Sequence, residues 1–319
     1  MYTQRDPSTT YPSSSPSAHR RSAPSLRGLL LGAALVCGLL VMLGTSPARA
    51  ETPGGPEAAV NPATLDPPPV LLYLPQIAHT GRTANEDDPN GCPTVSDAQY
   101  ASVPTIGPRP GHPPSIHADL NLAVRGYVPF TAALTLVDIN GPIDDDAPRL
   151  GTLFADRPLP EFTGAYQVNG WDWSSTLCPD ALWAGHGCRA APIADPPVTL
   201  LAMASARGEA VLTPYRRPEI YPAHFVALVL YAEETRLTLG YTRDDSAAAG
   251  YVIHLEDVCV DPNLLSLYRS LDAAGRASLP ALHSTEQVGV AAGPAIKAAV
   301  RDTGSFMDPR SRKDWWQPQ

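Results

Sequence analysis

The sequence predicts a mostly β protein: an antiparallel β-sandwich with one short helix and long irregular N-terminal loops. Three observations predict it. From Ile116 onward, short segments of alternating or apolar residues recur between turn residues. A single segment, Asp261 to Leu282, instead spaces its apolar residues for a helix. Between Ala78 and Pro114 there is almost no periodicity at all.

Taken in order, residues 1–50 read as a secretory signal peptide. Arg20, Arg21 and Arg27 precede the apolar run Gly28 to Leu43, and "SPARA" at Ser46 to Ala50 supplies a small-residue cleavage site. That run is shorter than the ~20 residues that span a bilayer comfortably; an uncleaved N-terminal anchor is the other reading. Cys37 lies inside the run, not at its end, which argues against a lipid anchor. Residues 51–70, rich in Pro, Ala and Gly, form a linker expected to be disordered. Residues 71–161 are expected to hold an N-terminal β and loop region, with a β-like stretch at Val70 to Ile77 and a long loop to Pro114. "ADLNLAVRGYVPF" (118–130) and "AALTLVDING" (132–141) alternate, the latter ending on the hairpin signal Asn140-Gly141.

Residues 162–310 carry the main β series. It runs through "FTGAYQVNGWDWS", "VTLLAMASARGEAVL", the hairpin "FVALVLYAEETRLTLGYTRDD", "GYVIHLEDVCVD" and "GPAIKAAVRDTGSFMD". Leu264, Leu267, Tyr268 and Leu271 predict a helix of about ten residues, with Gly275 as its stop. Residues 311–319 are a C-terminal tail.

Four cysteines follow residue 50: Cys92, Cys178, Cys188 and Cys259. An even count in an exported chain points to disulfides, with three connectivities open. The turn-like "PDALWAGHG" favours Cys178–Cys188, leaving Cys92–Cys259. A zinc site built from cysteines and His186 lacks Cys-x-x-Cys spacing. The first fifty residues hold five arginines and one aspartate, so their removal takes the net charge from −9 to −13. Such acidity argues against nucleic acid and against an anionic membrane surface as partner. No membrane contact is expected beyond the signal segment.

The order of segments from Phe162 to Arg310 resembles the lysostaphin-like zinc endopeptidases, whose two-sheet β-sandwich (the duplicated hybrid motif) cuts cell-wall peptides. In that family H-x-G-x-D supplies two zinc ligands; "VNGWD" is similar, with Val168 in the histidine's place and Asp172 kept. "GYVIHLED" resembles the family's G-x-x-V-x-I strand. The match to Y-A-H-L is "YRSL", with Ser270 for a catalytic histidine. The match to G-P-H-L-H-F-E-V-R opens with Gly293 and Pro294, and has Ala295 and Lys297 where histidines would stand. The resemblance therefore implies a degenerate peptidase with relic positions Val168, Asp172, Ser270, Ala295 and Lys297. Catalytic zinc needs three N, O or S donors and an open position, and without zinc no water is activated. No cofactor, metal or catalytic residue is expected on this reading.

The function this implies is an exported cell-envelope protein that binds cell-wall or envelope components, peptidoglycan or an envelope protein. Two alternatives stay open. One is a zinc metalloendopeptidase with ligands relocated to His224, His254 and Glu256, since His254 and Glu256 share a strand face. The other is a structural surface protein. His112 and His117 read as exposed loop residues, and His186 as decoration on a stapled loop. No G-x-S-x-G elbow occurs. Asp144, Asp145 and Asp146 suit either an acidic turn or oxygen ligands for calcium. Trp171 and Trp173 in "WDW" share one strand face: exposed, a stacking platform for sugar rings; buried, core. Trp315 and Trp316 in the tail either dock on the body or contact a partner.

Overall fold

The structure, a computed structural model, describes residues 91–139, 142–174 and 186–318. The expected signal peptide, the linker, the stretch at 70–77 and Cys178 lie outside the described residues. The described residues fall within one compact unit, Leu65–Gln319. Among them no helix is long and apolar enough to cross a membrane.

The fold is mostly β, with two antiparallel sheets. The strands are β1 (Ala101–Pro104), β2 (Tyr127–Phe130), β3 (Phe162–Asp172), β4 (Cys188–Pro192), β5 (Leu200–Ala204), β6 (Ala210–Leu212) and β7 (Phe225–Glu233). They continue as β8 (Arg236–Gly240), β9 (Tyr251–Glu256), β10 (Val258–Val260), β11 (Ser278–His283), β12 (Gln287–Ala291), β13 (Ala295–Asp302) and β14 (Ser305–Met307). The large sheet runs β1-β11-β7-β8-β9-β13-β5-β3-β2, with β4 also on β3 and β14 on β13; the small sheet runs β10-β12-β6. The strands β1 and β2, which precede residue 162, pair with β11 and β3, so one sheet runs across that position.

The two sheets share strands at a corner. In the large sheet β9, β13 and β5 lie side by side, and the small sheet continues the same three lines as β10, β12 and β6. Strands that switch sheets do so at bends. Here Asp257, with φ +62°, turns β9 into β10. Ala292 N donates to Asp257 O at 2.9 Å and Ser205 N to Pro294 O at 2.9 Å, so neighbouring lines bend together.

Apolar residues of both sheets meet in one large core, which includes Leu228, Leu239, Ile253, Leu255, Ile296, Ala298, Val300 and Val288. Helix α2 (Pro262–Ala273) closes it with Leu264, Leu265 and Tyr268. Its start follows local chemistry: Asp261 caps Asn263 N and Leu264 N, Pro262 occupies the first turn, and Gly275 at φ +89° follows its end. The expected helix is thus present but longer, at 12 residues, and Leu265 is buried where Leu267 and Leu271 are only partly so.

Two further helices of four residues, α1 (Leu122–Arg125) and α3 (Arg312–Trp315), correct the expectation of a single helix. In α1 the Asn121 side chain accepts from Ala123 N and Gly126 at φ +65° ends the turn, so capping overrides the alternating pattern of 118–130 and only β2 remains strand. The strand expected at 132–141 is absent among its described residues. Val137 N instead donates to Arg310 O, and Arg312 N to Val137 O, as an isolated bridge to the tail. The long loop before Pro114 contains β1, which the sequence pattern hides. In the tail, Trp315 is buried and its Nε1 donates to Asp308 O at 2.8 Å, so it docks on the body. The hairpin at β7–β8 turns through Glu234 and Thr235, with Glu233 opposite Arg236.

Cys92 and Cys259 are bonded across 167 residues of sequence. Cys188 is also disulfide-bonded, while its expected partner Cys178 lies outside the described residues. Beside Cys259 the small sheet is so tight that a Cβ on Gly289 would stand 2.1 Å from the Cys259 carbonyl oxygen. Gly293, by contrast, has nothing within 4 Å of such a Cβ. Gly289→Ala is therefore expected to lose about 1–3 kcal/mol in urea unfolding through overpacking. Gly293→Ala should stay within about 0.5 kcal/mol of the parent; equal effects would contradict this reading of the corner.

Candidate functional site

The face of the large sheet away from the main core carries polar residues beside a smaller apolar cluster of Leu122, Val168, Leu200, Ala299 and Phe306, and is largely buried. Residues 114–126 lie across it as a strap. Thr238 Oγ1 donates to Leu120 O at 2.6 Å, and Asn121 Nδ2 to the Tyr231 hydroxyl at 3.1 Å. The anchor is Asp119, whose Oδ1 meets Arg125 Nη2 at 2.6 Å and Arg301 Nη1 at 3.0 Å. Burial works against the Asp119 charge, but Arg301 and Arg125 outweigh it and hold the carboxyl below its ordinary range.

Under the strap, His254 is fully buried. The single Thr238 hydroxyl proton is used on Leu120, so Thr238 Oγ1 must accept the 3.0 Å bond from His254 Nδ1–H. His254 Nε2 is then a bare lone pair with no hydrogen-bond partner. Burial first, and then Arg301 and Arg125, push this imidazole down to about 3, so it is neutral. One row further, the charges alternate from strand to strand. Glu233 on β7 faces Arg236 on β8, which faces Glu256 on β9, which faces Lys297 on β13. Burial raises the Glu256 carboxyl to about 7 despite Arg236 Nε at 3.2 Å.

On its outer side the strap walls a cleft of about 340 Å³, lined by Arg109, His112, His117, Asp119, Trp173 and Ser246 among others. Trp173, just beyond β3, is 43% exposed and stands over this cleft. Its ring lies 6.1 Å from that of His112 at an interplanar angle of 5°, and 5.1 Å from that of His117. Trp171 supports it at 6.1 Å, edge to face, and its Nε1 donates to His186 O at 3.1 Å. Asp119 N donates to His117 Nδ1 at 3.1 Å. Burial lowers the His117 pKa, with Asp119 opposing and His112, Arg301 and Arg125 reinforcing the shift. The neutral ring therefore carries its proton on Nε2. The site offers a flat indole face with imidazole donors and acceptors beside it.

The relic positions are not one site. Val168 is fully buried opposite Tyr127, and its N donates to Thr199 Oγ1 at 2.7 Å. Lys297 Nζ pairs with Asp257 and lies 5.7 and 5.9 Å from the ring centres of Tyr127 and Tyr166. Burial acts against the Lys297 charge, and the bonded Asp257 carboxylate outweighs it and raises the pKa. Ala295 opens β13 opposite Ala204. Asp172 Oδ1 accepts from Ser174 N at 2.9 Å where β3 ends. Ser270 is exposed on α2, which packs on β7 and β11.

Nor does the structure gather His224, His254 and Glu256. The His224 side chain is 86% exposed beside Glu219 before β7, whereas His254 is sealed beneath the strap. Among the described residues no three His, Cys, Asp or Glu side chains converge as a metal site. Asp144 accepts from the Tyr251 hydroxyl and Asp146 pairs with Arg217 at 2.7 Å, so these two carboxylates of the acidic turn are engaged by the protein itself. Sequence reasoning missed Asp119, Arg125 and Arg301 as a unit and dismissed His112 and His117. The available signal was two histidines flanking Pro113-Pro114, with nothing to say they meet a tryptophan 56 residues later. Set against known proteins, the chain matches no family model, no curated protein and no solved structure.

His254 and Glu256 set opposing pH dependences. As pH falls from 6.5 towards about 3, an unfolded imidazole takes a proton that native His254 refuses, so stability falls with pH there. Between pH 4.5 and about 7, native Glu256 keeps a proton the unfolded chain has lost, so its contribution falls as pH rises. The two slopes oppose each other between pH 4.5 and 6.5. Glu256→Gln is therefore expected to steepen stability against pH in that window by about 1.4 kcal/mol per unit. Urea unfolding at stepped pH measures it, and a profile parallel to the parent would contradict it.

Proposed function

We propose that this protein acts outside the cytoplasm as a binding protein for a saccharide-bearing component of the cell envelope, gripped at the Trp173 cleft. The observation that carries this reading is the exposed Trp173 indole, flanked by His112 and His117 over a cleft of about 340 Å³. A sugar ring offers one apolar face and a rim of hydroxyls. An indole covers that face at little entropy cost, since two torsions fix it. Imidazole nitrogens can donate to and accept from hydroxyls, and burial favours the uncharged form of His117. Disulfide bonding and the signal-like N-terminal sequence support an extracytoplasmic setting.

Binding rather than cutting is supported by what stands at the positions where the resemblance calls for zinc donors. Val168 has no lone pair and is buried, and Lys297 is a cation paired with Asp257. The cleft is lined by neither Val168 nor Lys297, so the reading does not depend on descent from a peptidase.

Sedimentation with purified insoluble peptidoglycan tests it. The parent protein is expected to co-sediment, and Trp173→Ala to weaken retention by about tenfold, the equivalent of ~1.4 kcal/mol. Trp316→Ala, away from the cleft, should bind as the parent does. Loss of the parent protein to the supernatant, at the level of an unrelated acidic protein, would overturn the proposal.

A further inference from the structure

We propose that His112 and His186 form a site for a tetragonal divalent transition-metal ion, Cu(II) by class, at the Trp173 end of the cleft. The two rings come from segments 74 residues apart and meet edge to face, with centroids 4.7 Å apart and an interplanar angle of 89°. Their Nδ1 atoms are 2.9 Å apart. Each neutral imidazole has one protonated and one bare nitrogen, so one ring donates and the other accepts. Two adjacent bare nitrogens, by contrast, would need a shared cation between them.

The distance selects the kind of cation. At metal–nitrogen bonds of ~2.0 Å, donors 2.9 Å apart subtend about 93° at the metal. That is the angle between neighbouring positions of a square-planar or tetragonal ion. A tetrahedral ion at the same bond length needs donors about 3.3 Å apart. Imidazole donors in tetragonal geometry favour Cu(II), which also heads the divalent affinity order. Starting from two neutral rings, the shared Nδ1 proton moves to the outer nitrogen of its own ring and the ion takes both inner lone pairs, so that no proton is lost.

The surroundings fix the donors and leave room. Trp171 Nε1 holds the His186 carbonyl at 3.1 Å, and Gly187 at φ +95° turns the chain into β4 immediately after it. The His112 ring is parallel to that of Trp173, with centroids 6.1 Å apart. His117, a third imidazole with its Nε2 unused by the Asp119 bond, has its centroid 6.1 Å from that of His112. The remaining coordination positions are left to water or to a group of a bound ligand. The inference concerns the same cleft as the proposed function but does not rest on what that cleft binds.

Titration of the purified, disulfide-intact protein with Cu(II) alone, without peptidoglycan, tests it. The expected result is one equivalent bound, an axial paramagnetic resonance spectrum with coupling to two imidazole nitrogens, and quenching of tryptophan emission. His112→Asn and His186→Asn should each weaken binding by more than tenfold, whereas His224→Asn, at a distant exposed turn, should not. Far-ultraviolet circular dichroism checks that each variant keeps the parent fold. Absence of stoichiometric binding, a spectrum without nitrogen coupling, or unchanged affinity in both cleft variants would overturn the proposal. Metal binding without peptidoglycan binding, or the reverse, separates the two ideas.

Discussion

The carboxylate of Asp119, held between Arg125 and Arg301, is the interaction on which the rest of the structure depends. A strand face that carries Thr238, His254, Glu256, Lys297 and Arg301 would ordinarily face water. Here the strap that contains α1 covers it, and the strap buries Ala118, Leu120, Leu122 and Val124 beside its polar groups. Directional bonds come from Asn121, Thr238, Asn169 and Arg189, and the ion pairs centre on Asp119. Breaking a buried pair of this kind leaves a guanidinium without its counter-charge, which costs far more than the pair contributes. Asp119 is thus the ionic anchor of the strap that covers this face and walls the cleft.

Beneath the strap, the charges are ordered by the pairing of the strands. Cross-strand neighbours of opposite sign stabilise a sheet and like neighbours destabilise it. The row Glu233, Arg236, Glu256, Lys297 satisfies every adjacent pair at once. Moving Lys297 out of that row would leave Glu256 with Arg236 alone beside Asp257. That makes the lysine a structural residue of the sheet, whatever else the surface near Tyr127 and Tyr166 does. The corner at Asp257 serves the same arrangement. It turns β9 away into the small sheet and leaves its own carboxylate on Lys297.

Features written in neighbouring residues were legible from the sequence. The β7–β8 hairpin announces itself by two apolar runs around Glu233–Thr235, and α2 by Asp261-Pro262 and Gly275. The two-sheet β character follows from the same local patterns. Cys92–Cys259 was legible only by elimination among four cysteines. What failed was decided by partners remote in sequence. Ala101–Pro104 becomes a strand because β11 is there to pair with it, and 132–139 does not because the tail takes Val137 instead. The cleft was the least legible of all. His112, His117, Trp173 and His186 converge only after β3 and the strap are in place, and no spacing within any one segment records it.

Hydrogen–deuterium exchange on the parent protein and on Asp119→Asn tests the anchoring of the strap. Asparagine keeps the shape but removes the charge that holds two guanidinium groups. Amides of residues 117–126 are expected to lose protection in the variant while those of β7, β8, β9 and β13 retain it. Equal protection of the strap in both proteins would contradict the claim that Asp119 holds it down.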